Sequence, residues 1–256
     1  TQGTKTIPSA TIIMVREANK GLETFMVVRH HRIDFASGAL VFPGGKIDKQ
    51  DYEMDIYCEG IKSDDPFDSA FKVGAIREAF EESGILFARP RGSKKLISGS
   101  RLGELSHYRR ALHSRQITFR DFLKKENLIL ACDELNQFAH WITPEMMPKR
   151  FDTQFFIARA PDQAAQHDGD ESVDSLWLSP KEALEGNNRG KYTIIFPTRV
   201  NIERLGENDS AEEAIAASLK ADIRVVLPRL EERNNGTFVV IDEDLGYKTK
   251  SERIPS

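Results

Sequence analysis

The segment from Asp65 to Gly84 constrains this chain more than any other. Asp65-Pro66-Phe67-Asp68 offers a helix start with proline near the first turn, and Gly84 supplies the expected stop. Between them Phe71, Ala75 and Ala79, with Ile76 and Phe80 beside them, form one apolar stripe at helical spacing. The same helix sets Glu78, Glu81 and Glu82 at i, i+3 and i+4, where their carboxylates converge on one face. Arg77 lies four residues before Glu81, but Glu78 has Gly74 and Glu82 at that spacing and Glu82 has Leu86, so intrahelical ion pairs do not balance the cluster. A like-charge pair at i, i+4 costs roughly a few tenths of a kcal/mol. A hard divalent cation would neutralise it, since such ions take carboxylate oxygens, and Mg²⁺ keeps waters and substrate phosphates in its remaining positions. Two such ions ~3.5–4 Å apart would activate water and neutralise a diphosphate together.

The rest of the chain reads as a mixture of strands and helices. ATIIMV (Ala10 to Val15) and ETFMVV (Glu23 to Val28) flank the turn-like Asn19 to Gly21 and predict a hairpin. GALVFPGGK predicts a short strand stopped by Pro43, Gly44 and Gly45, where the backbone approaches a ligand closely and the glycine carbonyls point inward. Lys46 to Asp65 lacks periodicity and reads as an irregular surface excursion. Helical patterns follow at Gly103 to Leu112 and, after a Thr118 cap, Phe119 to Glu126. Strands are expected at Phe138 to Thr143, Thr153 to Arg159, Ser172 to Leu178 and Thr237 to Ile241, and helices from Ser179 to Gly186, Pro197 to Leu205 and Ser210 to Lys220. The stretch after Gly246 is expected to be mobile.

Composition narrows the class of ligand. A chain of 256 residues with 39 % hydrophobic and 30 % charged residues is an ordinary globular protein, read here as one elaborated domain. A net charge of −4 gives no electrostatic footprint for nucleic acid, and an anionic small ligand would need a metal or a few placed Arg and Lys. Cys58 and Cys132 are too few for a disulfide scaffold, and no apolar run approaches the roughly 18 residues of a membrane span. These features imply a cytoplasmic protein that needs neither membrane nor nucleic acid, and a homodimer is compatible with them.

The residues Arg77-Glu78-Ala79-Phe80-Glu81-Glu82-Ser83-Gly84-Ile85 resemble, at every defined position, the second half of the Nudix box, R-E-U-x-E-E-x-G-U, where U is aliphatic or similarly apolar. Phe42-Pro43-Gly44-Gly45-Lys46 is similar to the segment that opens that box. The family places 14 positions between its first Gly and its Arg, whereas Gly45 to Arg77 is 77 − 45 = 32, so about 18 residues are inserted, which costs entropy only logarithmically. The family's intermediate Glu falls on Ser69, leaving Asp68, Asp48 and Asp51 as alternatives. RHHRIDFASGALVFPGG, FAHWITPEMMPKRFDTQFFIARAP and SLWLSPKEAL resemble the branch related to the eukaryotic peroxisomal acyl-CoA diphosphatase called nudix motif 19.

The resemblance implies a Nudix fold, an α/β/α sandwich with a mixed central sheet, over a core of about 8–190, with a helical and strand extension to about 246. It implies Mg²⁺ or Mn²⁺ bound by Glu78, Glu81 and Glu82, with the carbonyl of Gly44 or Gly45 completing the coordination. Glu78 is also a candidate to orient or deprotonate water, and Arg77 to hold Glu78 or Glu81 in place. Glu171, six residues before Trp177, is the candidate fourth ligand or general base, with Asp170 and Asp174 as competitors. Arg29 and Arg32, beside His30 and His31, and Arg150 are candidates for phosphate oxygens. Near Arg150, the loop with Trp141, Met146 and Met147 offers contacts for a base or an acyl chain. The implied activity is hydrolysis of a nucleoside diphosphate derivative, coenzyme A or acyl-CoA first, with ADP-ribose, NADH and a non-catalytic nucleotide sensor as alternatives.

Overall fold

The apolar runs near the N-terminus form the expected antiparallel hairpin, and every other layer is built on its first strand. The computed structural model describes residues 5–19, 21–29, 38–61, 66–162 and 172–254. In chain order the strands are β1 (Ile7–Ala18), β2 (Gly21–Arg29), β3 (Leu40–Val41), β4 (Gly44–Lys46), β5 (Cys58–Glu59), β6 (Ala88–Pro90), β7 (Leu128–Ala131), β8 (Asn136–Ile142), β9 (Phe151–Arg159), β10 (Ser172–Leu178), β11 (Val225–Val226), β12 (Arg229–Arg233), β13 (Gly236–Val240) and β14 (Ser251–Arg253). The helices are α1 (Pro66–Ser83), α2 (Gly99–Leu105), α3 (His107–His113), α4 (Phe119–Lys125), α5 (Pro180–Asn188), α6 (Phe196–Leu205) and α7 (Ala211–Lys220).

The central sheet is mixed, in the order β10-β2-β1-β9-β8-β11, with β3 against β2 and β4 against β1. β1 is antiparallel to β2 and β4 and parallel to β9, with Ile7 opposite Phe151 and Val15 opposite Arg159. A strand paired on both edges and covered on both faces has to be apolar throughout, as Ile12, Ile13, Met14 and Val15 are, each fully buried. Ile12 and Met14 pack with Ile76, Ala79 and Phe80 of α1, while Ile13 and Val15 pack with Val200 and Leu205 of α6 and Ala214 of α7. The result is the expected α/β/α sandwich. At the end of α1 Gly84 takes φ +76°, a left-handed conformation that stops the helix, and its N–H donates to the Phe80 carbonyl at 2.9 Å.

Three expectations are corrected. Lys46 to Asp65 is no loose surface excursion, for its described part holds two 3₁₀ turns, Lys49–Glu53 and Asp55–Tyr57, with Met54, Tyr57 and Asp51 buried. Tertiary burial against α1 orders it where local periodicity gives no sign. The expected helix Gly103 to Leu112 is two helices, α2 and α3, which meet at Ser106. The stretch after Gly246 is ordered through Ile254: β14 pairs with β13, and Tyr247 is buried between the Trp141 indole N–H, which donates to its Oη at 3.1 Å, and Asn201 Oδ1, which accepts from it at 3.1 Å.

Replacing Tyr247 with Ala is expected to cost about 3–5 kcal/mol through cavity formation, and Tyr247→Phe to cost only about 1 kcal/mol, one hydrogen bond's net worth. Urea unfolding of the two variants tests this, and no loss in either would mean that the segment contributes nothing to the core.

Candidate active site

Arg77 is the organising side chain of the acidic helix face. Only 3 % exposed, its guanidinium is forked onto a fully buried carboxylate from the insertion: Nε donates to Asp51 Oδ1 at 3.1 Å and Nη2 to Asp51 Oδ2 at 3.0 Å. Nη2 also donates to the Lys46 carbonyl at 2.8 Å, Nη1 donates to Glu78 Oε1 at 2.8 Å, and Glu81 stands 3.5 Å from Nη1. Burial works against its charge, but Glu78 and Asp51 outweigh burial and hold its pKa well above the ordinary range. Burial pushes the carboxyls of Asp51 and Glu81 up, against the pull of Arg77.

The glycine pair supplies the opposite wall. Gly44 and Gly45 do not stop a strand as expected. They form β4, opposite Thr11 and Ala10 of β1, because an extended backbone without side chains lets α1 lie close against it. A Cβ on Gly45 would stand 2.4 Å from Glu78 Oε1, so a larger residue here would displace that carboxylate. The Gly44 N–H donates to Glu82 Oε2 at 2.9 Å. The Gly44 N–H and the Lys46 carbonyl thus bond to this cluster, where the sequence pointed to glycine carbonyls.

All three helix carboxylates line one cleft of about 1560 Å³, together with Gly44, Gly45, Arg77 and Arg29. Among the described residues no three acidic, His or Cys side chains are gathered in ligating geometry, since Glu78 is turned to Arg77 and Glu82 to the Gly44 N–H. The donor set nonetheless fits a hard divalent cation: its side-chain ligands, Glu78, Glu81 and Glu82, are all carboxylates on one helix face, and the guanidinium beside them stands in ion pairs with Glu78, Glu81 and, behind them, Asp51.

The other predicted residues divide. Arg29 lines the cleft, and among the described residues its buried Nε has no hydrogen-bond partner. Arg32, His30, His31, Glu171 and Asp170 lie outside the described residues. Asp174 is exposed on β10 and accepts the Ser175 N–H. Arg150 does not line the cleft. It is 8 % exposed and its Nε donates to the Thr143 carbonyl at 3.0 Å, closing the β8–β9 loop, while Lys149 beside it lines the cleft. Of the three aspartates left open, Asp51 is the one that accepts from Arg77; Asp68 sits in the first turn of α1, and Asp48 caps the 3₁₀ turn, its N–H donating to Asp51 Oδ2 at 2.8 Å. The Asp-x-x-Asp spacing of that capping box marks the 3₁₀ turn, but nothing in it tells that Asp51 reaches Arg77. Arg109, which the sequence reading missed, donates from Nη2 to the carbonyls of Glu81 and Glu82 at 3.0 and 3.1 Å and satisfies the end of α1.

The family model of the NUDT19 Nudix domain matches residues 58–205. The chain belongs to the Nudix family. It is 26 % identical over 225 residues to an acyl-coenzyme A diphosphatase NUDT19 of Xenopus laevis, covering 72 % of this chain and 59 % of that protein. To the protein of that name from Homo sapiens it is 31 % identical over 150 residues, 55 % of this chain and 40 % of that one. The chain therefore spans about half the length of these relatives. A crystal structure of a NUDIX hydrolase from Alicyclobacillus acidocaldarius shares the fold at a TM-score of 0.67 and 27 % identity, covering 83 % of this chain and 96 % of that one. The Nudix helix is α1, and the insertion that lengthens the box delivers Asp51 to it.

Because Asp51→Asn leaves the Arg77 charge buried without its forked partner, it is expected to cost about 3–5 kcal/mol of stability. Adding Arg77→Met should recover part of that loss, and a double-mutant cycle from guanidinium unfolding showing no coupling between the two positions would contradict the arrangement.

Proposed function

We propose that this Nudix protein is a metal-dependent diphosphatase that hydrolyses coenzyme A or its acyl esters at the diphosphate. The observation that carries the reading is the set of three carboxylates, Glu78, Glu81 and Glu82, lining one cleft beside the Gly44–Gly45 pair of β4. Glu78, Glu81 and Glu82 would hold Mg²⁺ or Mn²⁺, which when bound neutralises diphosphate charge and lowers the pKa of a water. The chain's own groups do the rest. Asp51 fixes Arg77, and Arg77 holds Glu78 at the cleft wall, where Glu78 accepts a proton from the attacking water. Arg29, whose buried Nε has no hydrogen-bond partner among the described residues, offers its guanidinium to a phosphate oxygen. Water oxygen bonds to phosphorus in line with the departing oxygen, the P–O bond of the bridge breaks, and two phosphate-bearing products leave. From coenzyme A these are 3′,5′-ADP and 4′-phosphopantetheine.

The choice of coenzyme A is supported by the names of the relatives at 26 % and 31 % identity. Among the described residues no helix is long and apolar enough to cross a membrane.

Turnover of coenzyme A, acyl-CoA, ADP-ribose, NADH and diadenosine polyphosphates with Mg²⁺ or Mn²⁺, products resolved by mass, tests the reading. Coenzyme A species are expected to be cleaved, and cleavage of ADP-ribose alone would overturn the substrate. Glu82→Gln is expected to lower kcat by about 10²–10³-fold, the several kcal/mol that charge neutralisation supplies. Arg29→Ala is expected to raise KM about tenfold with a smaller change in kcat.

A further inference from the structure

The cleft does not end at the carboxylates. Its floor crosses the sheet through residues paired across strands: Gly44 of β4 opposite Thr11 of β1, Thr11 opposite Phe155 of β9, and Thr153 of β9 opposite Trp141 of β8. Three steps between strands at ~4.8 Å each carry the floor roughly 14 Å from the glycine strand to β8. Along that path the lining changes from carboxylate to apolar, with Trp141, Phe151 and Phe196 at the far end.

The outer wall of this far end comes from a separate sheet, β12–β13–β14. Leu230 of β12 and Val239 of β13 stand opposite one another, and Ile254, just past β14, donates its N–H to the Thr237 carbonyl of β13 at 2.9 Å. All three line the cleft. They lie beyond the matched Nudix domain, which ends at residue 205. The acidic group that this sheet brings to the cleft, Glu252, is engaged by Arg199, whose Nε donates to it at 2.7 Å. At the mouth, Met147 and Ile254 are large apolar side chains left 37 % and 38 % exposed. A volume of about 1560 Å³ also exceeds the ~300–1,000 Å³ of an ordinary ligand pocket, so a nucleotide at the carboxylate end leaves this end to another part of the same molecule.

We propose that the C-terminal sheet turns the far end of the cleft into a subsite for an apolar chain carried by the substrate, so that Leu230, Val239 and Ile254 determine preference for acylated over free coenzyme A. The subsite rests on the coenzyme A reading for how the chain arrives, attached through sulfur to the diphosphate-bearing half. Burial of an alkyl chain here tightens binding by up to about fourfold per methylene.

Calorimetric titration with coenzyme A and with its S-hexyl thioether, in the absence of divalent metal, separates the subsite from the chemistry. The thioether is expected to bind at least about tenfold tighter to the native protein, and Val239→Asp should shrink that gap to under about threefold. Ile254→Asp, at a partly exposed position, serves the same purpose if Val239→Asp fails to fold by circular dichroism. Equal affinity of the native protein for the two ligands, an undiminished gap in the variants, or an equal loss for both ligands would overturn the proposal, the last because the wall would then hold the adenosine end. With Mg²⁺ added, binding of both ligands without cleavage would sink the diphosphatase reading and leave the subsite to be judged by the gap alone; binding of neither would sink both.

Discussion

A guanidinium taken out of water has to have its donors satisfied, and that requirement draws three parts of this chain to one point. Asp51 comes from the insertion, the Lys46 carbonyl from the end of the glycine strand and Glu78 from the helix, and each accepts a hydrogen bond from Arg77. Removing any one of them would leave a buried charge short of a partner, which is why the insertion folds back onto α1 instead of ranging over the surface. The same contacts hold the helix carboxylates at the cleft wall, so fold stability and site geometry share one interaction.

The second constraint is the absence of side chains at Gly44 and Gly45 of β4. Glu78 packs where a Cβ on Gly45 would be, and a Cβ on Gly44 would meet the Ala10 carbonyl at 2.5 Å. The strand is thus thin enough for a helix face full of carboxylates to reach the cleft beside it. Acidic groups from one face of the sheet and apolar groups from the other then border a continuous space.

What could be read from the sequence follows from how local its physical cause is. α1, its proline start, its glycine stop and its acidic face depend on residues within a few turns of one another, and all appear where expected. Ser179 and Thr118 cap their helices for the same reason. The structured insertion, the pinned Tyr247 and the choice of Asp51 depend on partners 26 to 106 residues away, as in the Arg77–Asp51 and Trp141–Tyr247 bonds, and no local pattern announces them. Arg150 misled because a basic residue before a strand looks alike whether it meets a phosphate or, as here, a carbonyl of its own loop.

The parallel pairing of β1 with β9 has a consequence for how the protein is made. Ile7 finds its neighbour at Phe151 and Val15 at Arg159, so one long edge of the first strand stays bare until a segment 151 − 7 = 144 residues further on has left the ribosome. Nucleation through such distant partners is slow, and an uncovered apolar edge invites pairing with other nascent chains. The hairpin and the glycine strand can meet early, but the cradle they contribute to becomes complete only when the ninth strand docks.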